Sequence, residues 1–294
     1  MLPRLLLLFT VVIWGWSFVA SKICLGYMEP FELMGLRFLI ALPVLYVIII
    51  FKKSKLQIRR NLGRLIPGSL IITIHFFIQI TGIKYTSATN TGWIIAVTPL
   101  VMALLAWLIL KEYLNFKTIS GIAVATIGII FLISNGRIND LGWLSSYGDW
   151  LILASAHTWA LFSIITRDLS RKNDPLAVIA ALITPPAVIF IAIMGIRSDW
   201  GKLISIPADG IISVLFLGLL AMAAGHWFWQ IGVARIGAAR AGIFLYLEPL
   251  ATTILAATYL KEPFGVFTAV GGFLVLGGVW LGLYKNQALP EKNR

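Results

Sequence analysis

The chain has 294 residues, 59% hydrophobic and only 12% charged, with a mean hydropathy of +0.91. A soluble domain of this length needs far more polar surface, whereas apolar windows of about 20 residues, the length that crosses a hydrocarbon core, recur from end to end. The net charge of +12 does not point to nucleic acid, because the basic residues sit in short loops between apolar runs, where they set orientation and meet anionic lipid headgroups.

The first run continues from Leu5 through Trp14-Gly15-Trp16-Ser17-Phe18 to Leu25. Val19-Ala20-Ser21-Lys22 is a poor cleavage site, so the run reads as a retained helix and not a signal peptide. In chain order the predicted spans are 5–25, 31–51, 65–83, 87–110, 116–134, 148–167, 175–195, 209–232, 238–260 and 264–284. The expected fold is an all-α polytopic membrane protein of ten transmembrane helices. With the N-terminus inside, 17 of the 24 Lys and Arg fall on the inner side and 6 on the outer, with Arg37 inside a span. Both termini are therefore expected in the cytoplasm. The single cysteine, Cys24, rules out an intramolecular disulfide and a cysteine-based metal cluster. No cofactor and no metal are expected.

The chain repeats itself. Ala88, Gly92, Pro99-Leu100, Leu110-Lys111-Glu112, Gly121 and Gly128 return 150 residues later as Ala238, Gly242, Pro249-Leu250, Leu260-Lys261-Glu262, Gly271 and Gly278. Upstream the register slips by one, with His75-Phe76-Phe77-Ile78-Gln79-Ile80 against His226-Trp227-Phe228-Trp229-Gln230-Ile231. The repeats are read as 5–134 and 148–284, joined by a loop at 135–147. Each holds five helices, an odd number, so the second copy enters the membrane upside down and the whole is an inverted 5+5 repeat. Such halves enclose a substrate site at their interface and present it to one side of the membrane at a time.

Trp14-Gly15-x-x-Phe18, Arg37-Phe38, Tyr85-Thr86-Ser87-Ala88, Thr98-Pro99-Leu100 and Lys111-Glu112 resemble the pattern of EamA-type drug/metabolite transporters. The second half agrees in Gly237-Ala238-Ala239-Arg240-Ala241, Leu247-Glu248-Pro249-Leu250 and Lys261-Glu262. The resemblance covers residues 5–284. It implies a ten-helix carrier of two EamA domains that often exports amino acids or other small metabolites; the compact chain, without targeting extensions, is expected in a bacterial cytoplasmic membrane. It does not select the cargo. Lys111 and Lys261 stand where glycine is common in the family.

Glu248 lies within the ninth span beside Pro249. A buried acid there costs about 2.5–3.5 kcal/mol on insertion scales and commonly serves function, as a cation, ammonium or proton site, or else packs as a hydrogen-bonded neutral group. The proline removes a donor from the Leu245 carbonyl, so a kink is expected. Arg37 reads as a carboxylate clamp or a structural counter-charge. His75 and Gln79 share a helix face, as do His226 and Gln230, lining a cavity or tying helices together. Trp14 and Trp159 complete the candidate site, as stacking surface or as packed indole. Glu112 and Glu262 read as solvated caps or as gating acids that pair with basic residues of the other half.

Three function classes follow. The first is a secondary carrier of a small amphipathic metabolite, with proton coupling through Glu248 or facilitated diffusion. The second is an antiporter of phosphorylated or nucleotide sugars, disfavoured because only Arg37 and Arg240 approach membrane depth. The third is an intramembrane hydrolase using Ser17 with His157 or His226. No catalytic residue is assigned, and the expected partners are a small-molecule substrate and the lipid bilayer.

Overall fold

The computed structural model describes residues 1–134, 146–259 and 266–283. Residues 135–145 of the expected linker, Arg137 among them, lie outside the described residues, as do Lys261, Glu262, Lys285, Lys292 and Arg294. The first half contains Leu2–Cys24 (α1), Pro30–Lys52 (α2), Ile58–Tyr85 (α3), Ala88–Ile95 (α4), Thr98–Leu110 (α5) and Phe116–Ser134 (α6). The second contains Tyr147–Lys172 (α7), Pro175–Arg197 (α8), Trp200–Ile204 (α9), Ala208–Phe216 (α10), a π-helical segment Leu217–Gly225, and His226–Ile236 (α11). Ala238–Phe244 (α12), Leu247–Tyr259 (α13) and Val266–Leu283 (α14) complete it, and no strand occurs among the described residues.

Among the described residues, seven stretches are long and apolar enough to cross a membrane: 2–24, 30–52, 58–85, 88–110, 147–172, 175–197 and 208–236. The other three expected spans fall on α6, on α12 with α13, and on α14. Of these, α6 and α14 have 19 and 18 residues, and 18 helical residues rise only ~27 Å.

Boundaries follow local chemistry. Pro30 opens α2, where its missing N–H is no loss, and Glu29 and Glu32 form a reciprocal capping box. Ser146 and Asp149 do the same for α7. Two membrane segments are broken at equivalent places. Pro99 cannot donate to the Ile95 carbonyl, nor Pro249 to that of Leu245. The chain tightens there, with Ala96 N–H on Trp93 O at 3.1 Å and Leu245 N–H on Gly242 O at 2.9 Å. The kink expected at Pro249 is a full break, and the Leu245 carbonyl accepts from the Glu248 N–H at 3.0 Å. Glu248 thus sits in the first turn of α13, not mid-helix.

The one-residue slip in the repeat also has a structural cause. Gly68 to His75 is seven residues, whereas Gly218 to His226 is eight. The additional residue is taken up by the π-helical turns at Leu217–Gly225, a conformation that inserts residues without breaking a helix.

Packing joins three segments to their repeat counterparts: α6 to α14, α2 to α8, and α4–α5 to α12–α13. In the pair α6–α14, a Cβ on Gly128 would lie 2.7 Å from the Gly271 carbonyl oxygen, so the backbones touch. Gly92 of α4 lies against Thr252 of α13, and Gly242 of α12 lies against Met102 of α5. Adding 150 to one residue of a pair and subtracting it from the other turns the first contact into the second. A two-fold relation between segments produces reciprocal contacts of this kind. Along α2 and α8, Gly35 meets Met194, Phe38 meets Phe190 and the Tyr46 hydroxyl meets Thr184. Numbers rise on one helix as they fall on the other, so these helices run antiparallel. Gly272 meets only Leu250 and Gly277 faces open space, so neither belongs to the glycine seam.

Candidate functional site

The central cavity is about 40 Å³ and is lined from seven membrane segments. Helix α1 contributes Trp14, Ser17, Phe18 and Ser21; α2 contributes Arg37; α3 contributes His75, Phe76, Gln79 and Ile83. Trp159 comes from α7 and His226 from the start of α11. The two helix breaks supply the rest: Ile95 and Thr98 at one, Leu245 and Glu248 at the other. The carbonyls that the two prolines deprive of a donor thus belong to cavity-lining residues.

The structure brings together Glu248, Arg37, His75, Gln79, His226, Trp14 and Trp159. Gln230 stands apart. Its amide oxygen accepts from Ser170 Oγ at 2.7 Å and its nitrogen donates to Thr166 Oγ1 at 3.3 Å, so α7 holds the side chain away from the cavity. Sequence reasoning placed Ser17 only in the hydrolase alternative and Phe18 only in the Trp14-Gly15-x-x-Phe18 motif, and it passed over Ser21. Their spacing from Trp14, at three, four and seven residues, is the signature of one helix face. Thr98 entered only within the Thr98-Pro99-Leu100 motif; 150 residues on, its counterpart is Glu248.

The rings form a reciprocal cluster. Trp14 packs on His226 with centroids 5.2 Å apart, Trp159 packs on His75 at 5.1 Å, and the two indoles meet edge to face at 5.0 Å. The Trp14 indole donates to the Ala221 carbonyl at 2.9 Å, within the π-helical turns. His226 Nδ1 contacts that same carbonyl at 3.0 Å, and His75 Nδ1 contacts Ser155 O at 3.1 Å.

Polar groups left unpaired concentrate here. Eight buried side-chain nitrogen or oxygen atoms among the described residues have no protein hydrogen-bond partner, and four line this cavity: Arg37 Nε, Thr98 Oγ1, Trp159 Nε1 and Glu248 Oε1. Arg37 and Glu248 are 6% and 3% exposed. Arg37 reaches only the Met34 sulfur, at 3.7 Å, and neither residue forms an ion pair among the described residues. Burying such groups unpaired is unfavourable, so their concentration in one cavity makes it the candidate functional site. Ser17 donates to its own helix at Trp14 O, 2.7 Å, and the exposed His157 turns to Leu153 O at 2.8 Å. Among the described residues no hydrogen bond joins Ser17 to His157 or His226, and no three His, Cys, Asp or Glu side chains gather as a metal site would require.

Polar ties join membrane segments at both ends of the bundle. At one, Lys22 Nζ donates to the carbonyls of Ile83, Lys84 and Thr86 at 3.1, 3.0 and 2.6 Å. Beside it, Asp149 accepts from Thr86 and Asn90, each at 2.5 Å. At the other, Glu112 accepts from the Ala238 and Ala239 N–H groups at 3.0 and 3.1 Å and pairs with Arg167 at 3.3 Å. Glu112 is therefore a cap on α12 and pairs with a basic residue of the second half, Arg167. Asp149 and Arg167 lie 18 residues apart on α7, which separates the two sets of ties by ~27 Å.

An all-helical bundle with apolar spans and a buried polar cavity defines a multi-pass membrane protein with a candidate small-molecule site. The EamA-like transporter family model matches residues 1–134 and 146–284; the chain belongs to that family. It is 31% identical over 269 residues to an uncharacterized transporter, YyaM, of Bacillus subtilis, covering 90% of this chain and 88% of that one. It is 26% identical to an uncharacterized transporter of Archaeoglobus fulgidus, covering 97% and 98%. It is 27% identical to a probable amino-acid metabolite efflux pump of Salmonella typhimurium, covering 95% and 94%. A solved crystal structure matches the fold with a TM-score of 0.76 at 18% identity, covering 96% of this chain and 97% of that one. Family and relatives point to a transporter and not an enzyme.

Proposed function

We propose that this protein is a secondary carrier that exports a small zwitterionic metabolite of the amino-acid type by alternating access. The observation that carries the reading is the pair Arg37 and Glu248, a guanidinium and a carboxyl, each with an unpaired atom and both facing one cavity. A guanidinium presents paired donors to a carboxylate, and the Glu248 carboxyl suits an ammonium. A zwitterion satisfies both while displacing little else. Trp14, Trp159, His75 and His226 form the wall against which its side chain packs, with Gln79, Ser17 and Ser21 as adaptable polar contacts. The amino-acid guess draws further support from the name of the Salmonella relative.

The moving parts in this reading are two five-helix halves, 5–134 and 148–284, inserted in opposite senses in a bacterial cell membrane with both termini cytoplasmic. Antiparallel packing of α2 with α8, the reciprocal contacts around Gly92 and Gly242, and matched breaks before Pro99 and Pro249 support the inverted arrangement. The cavity, about 40 Å³, has room for only ~2–3 waters, well below the roughly 300 Å³ at which ligand pockets begin. Transport therefore requires one set of polar ties to open while the other holds. Glu248 is the group that links a proton gradient to this cycle.

A phosphorylated-sugar antiporter is the weaker reading, because the cavity holds a single basic side chain and Arg240 lies exposed outside it. Thermal unfolding of the purified carrier with a panel of amino acids, their decarboxylated amines and sugar phosphates separates the two, since a ligand stabilises the state it binds. Stabilisation by a zwitterion and not by its amine is the expected result. Stabilisation by sugar phosphates alone overturns it.

A further inference from the structure

Away from the central cavity, a second polar pocket of about 340 Å³ opens where α7, α11 and α12 end or begin, beside the turn after α5. Its lining includes Arg167, Arg171, Arg235 and Arg240 against a single acid, Glu112. That acid is already engaged by two backbone N–H groups and by Arg167. Arg171, Arg235 and Arg240 have no acidic partner among the described residues, and Arg167 Nε is buried with no acceptor. The pocket thus offers more fork-shaped cationic donors than the protein can satisfy, the arrangement that suits a phosphate oxyanion.

Position in the fold says which phosphate. The arginines lie at the ends of membrane segments, the level of the headgroups. Tyr113, which lines the pocket, is 79% exposed, and nearby Phe116 is 83% exposed. Exposed aromatic rings at helix ends mark the membrane–water boundary, and here they offer an apolar flank for acyl chains beside the cationic recess.

We propose that this pocket binds the phosphate headgroup of an anionic phospholipid, held by Arg171, Arg235 and Arg240 and ordered by Arg167. A bound lipid bridges α7 to the junction of α11 and α12, the joint that Glu112 caps. Basic pockets between transmembrane helices recognise anionic headgroups by this chemistry.

The test is thermal unfolding of the purified full-length chain, titrated with short-chain phosphatidylglycerol, with phosphatidylcholine of equal chain length, and with inorganic phosphate. The phosphatidylglycerol is expected to raise the unfolding temperature saturably, while the other two leave it unchanged. In the double variant Arg235→Gln/Arg240→Gln, whose side chains are exposed, unliganded unfolding should match the parent and apparent lipid affinity should fall roughly 30-fold, about fivefold for each arginine at a charged surface. The variant Arg235→Lys/Arg240→Lys should recover most of it if charge dominates. An equal shift with phosphatidylcholine, or a shift undiminished in the glutamine variant, overturns the proposal. An equal saturating shift with inorganic phosphate assigns the pocket to a soluble anion and overturns the lipid assignment. If the glutamine variant unfolds at a lower temperature by itself, the lysine variant and the phosphatidylcholine comparison decide the matter.

Discussion

Gly121 and Gly278 face each other so closely that a Cβ on either would lie 2.6 or 2.7 Å from the other's carbonyl oxygen. Their repeat counterparts, Gly271 and Gly128, approach in the same way a few turns away. Backbone, not side chain, fills this seam between α6 and α14. Gly121→Ala or Gly278→Ala should therefore destabilise the protein by roughly 1–3 kcal/mol, the usual cost of overpacking. Gly277→Ala, which has open space around it, should be neutral. Thermal unfolding in detergent distinguishes the three, and equal behaviour of all of them would remove the seam's importance.

Glu248 and proton coupling stand or fall together. Glu248→Gln keeps the shape of the side chain but cannot carry a proton across. In proteoliposomes it should abolish transport driven by a pH gradient while retaining exchange of substrate across the membrane. Gradient-driven transport at the parent rate would take this carboxyl out of the coupling mechanism.

Arg37 should matter to binding through its forked donors. Arg37→Lys retains charge but loses the bidentate geometry, and should weaken zwitterion binding by about tenfold, in line with the 1.5–3 kcal/mol typical of charged hydrogen bonds. Arg37→Met should weaken it further. Ligand-dependent thermal shifts measure both, and an undisturbed ligand shift in Arg37→Met would assign the residue to structure alone.

Glu112 caps α12 from another segment. Removing it in Glu112→Ala leaves the Ala238 and Ala239 N–H groups unpartnered, at a cost of about 0.5–2 kcal/mol. Because that tie also joins membrane segments at one end of the bundle, a cysteine placed at Ser17 should become more reactive towards a soluble thiol reagent in a background lacking Cys24. Unchanged reactivity would show that the tie does not restrain opening.

The asymmetry between Gln79 and Gln230 predicts the other state of the cycle. Trp159-Ala160 matches Trp14-Gly15 at a spacing of 145 residues, which makes Ser21 the counterpart of Thr166. In the structure Gln230 is held by Thr166 while Gln79 and Ser21 both face the cavity. Exchange of roles brings Gln79 onto Ser21 and releases Gln230. Cysteine pairs 21/79 and 166/230 should thus cross-link in alternation, each blocked by a ligand that traps the state favouring the other. Simultaneous cross-linking of both pairs would contradict this.

Much of the fold was legible in the sequence because the repeat prints it twice. Gly121, Gly128, Gly271 and Gly278 stood out as repeated positions, and Pro249 pointed to a kink where the structure has a full break, since glycine and proline act on the backbone directly. Glu248, Arg37 and the two histidines stood out because polar atoms are costly in hydrocarbon. What failed was direction. His226 and Gln230 share spacing with His75 and Gln79, yet the π-helical turns that precede His226, and the waiting hydroxyls of Thr166 and Ser170, decide where Gln230 points. Ser21 was passed over, and Ser17 was read only as a candidate nucleophile, because a serine hydroxyl can bond its own helix cheaply, as Ser17 does at Trp14 O, and carries no signature of burial. The pairing of Glu112 with α12 depends on where two distant chain ends meet, which no local pattern specifies.

The inverted arrangement is tested most directly by the sidedness of two equivalent loops. In a background lacking Cys24, cysteines introduced at the exposed positions Lys55 and Ser205 are labelled in intact cells with a membrane-impermeant thiol reagent. An inverted repeat puts five membrane crossings between them, so position 205 should react from outside and position 55 only after permeabilisation. Labelling of both from the same side would contradict the inverted repeat.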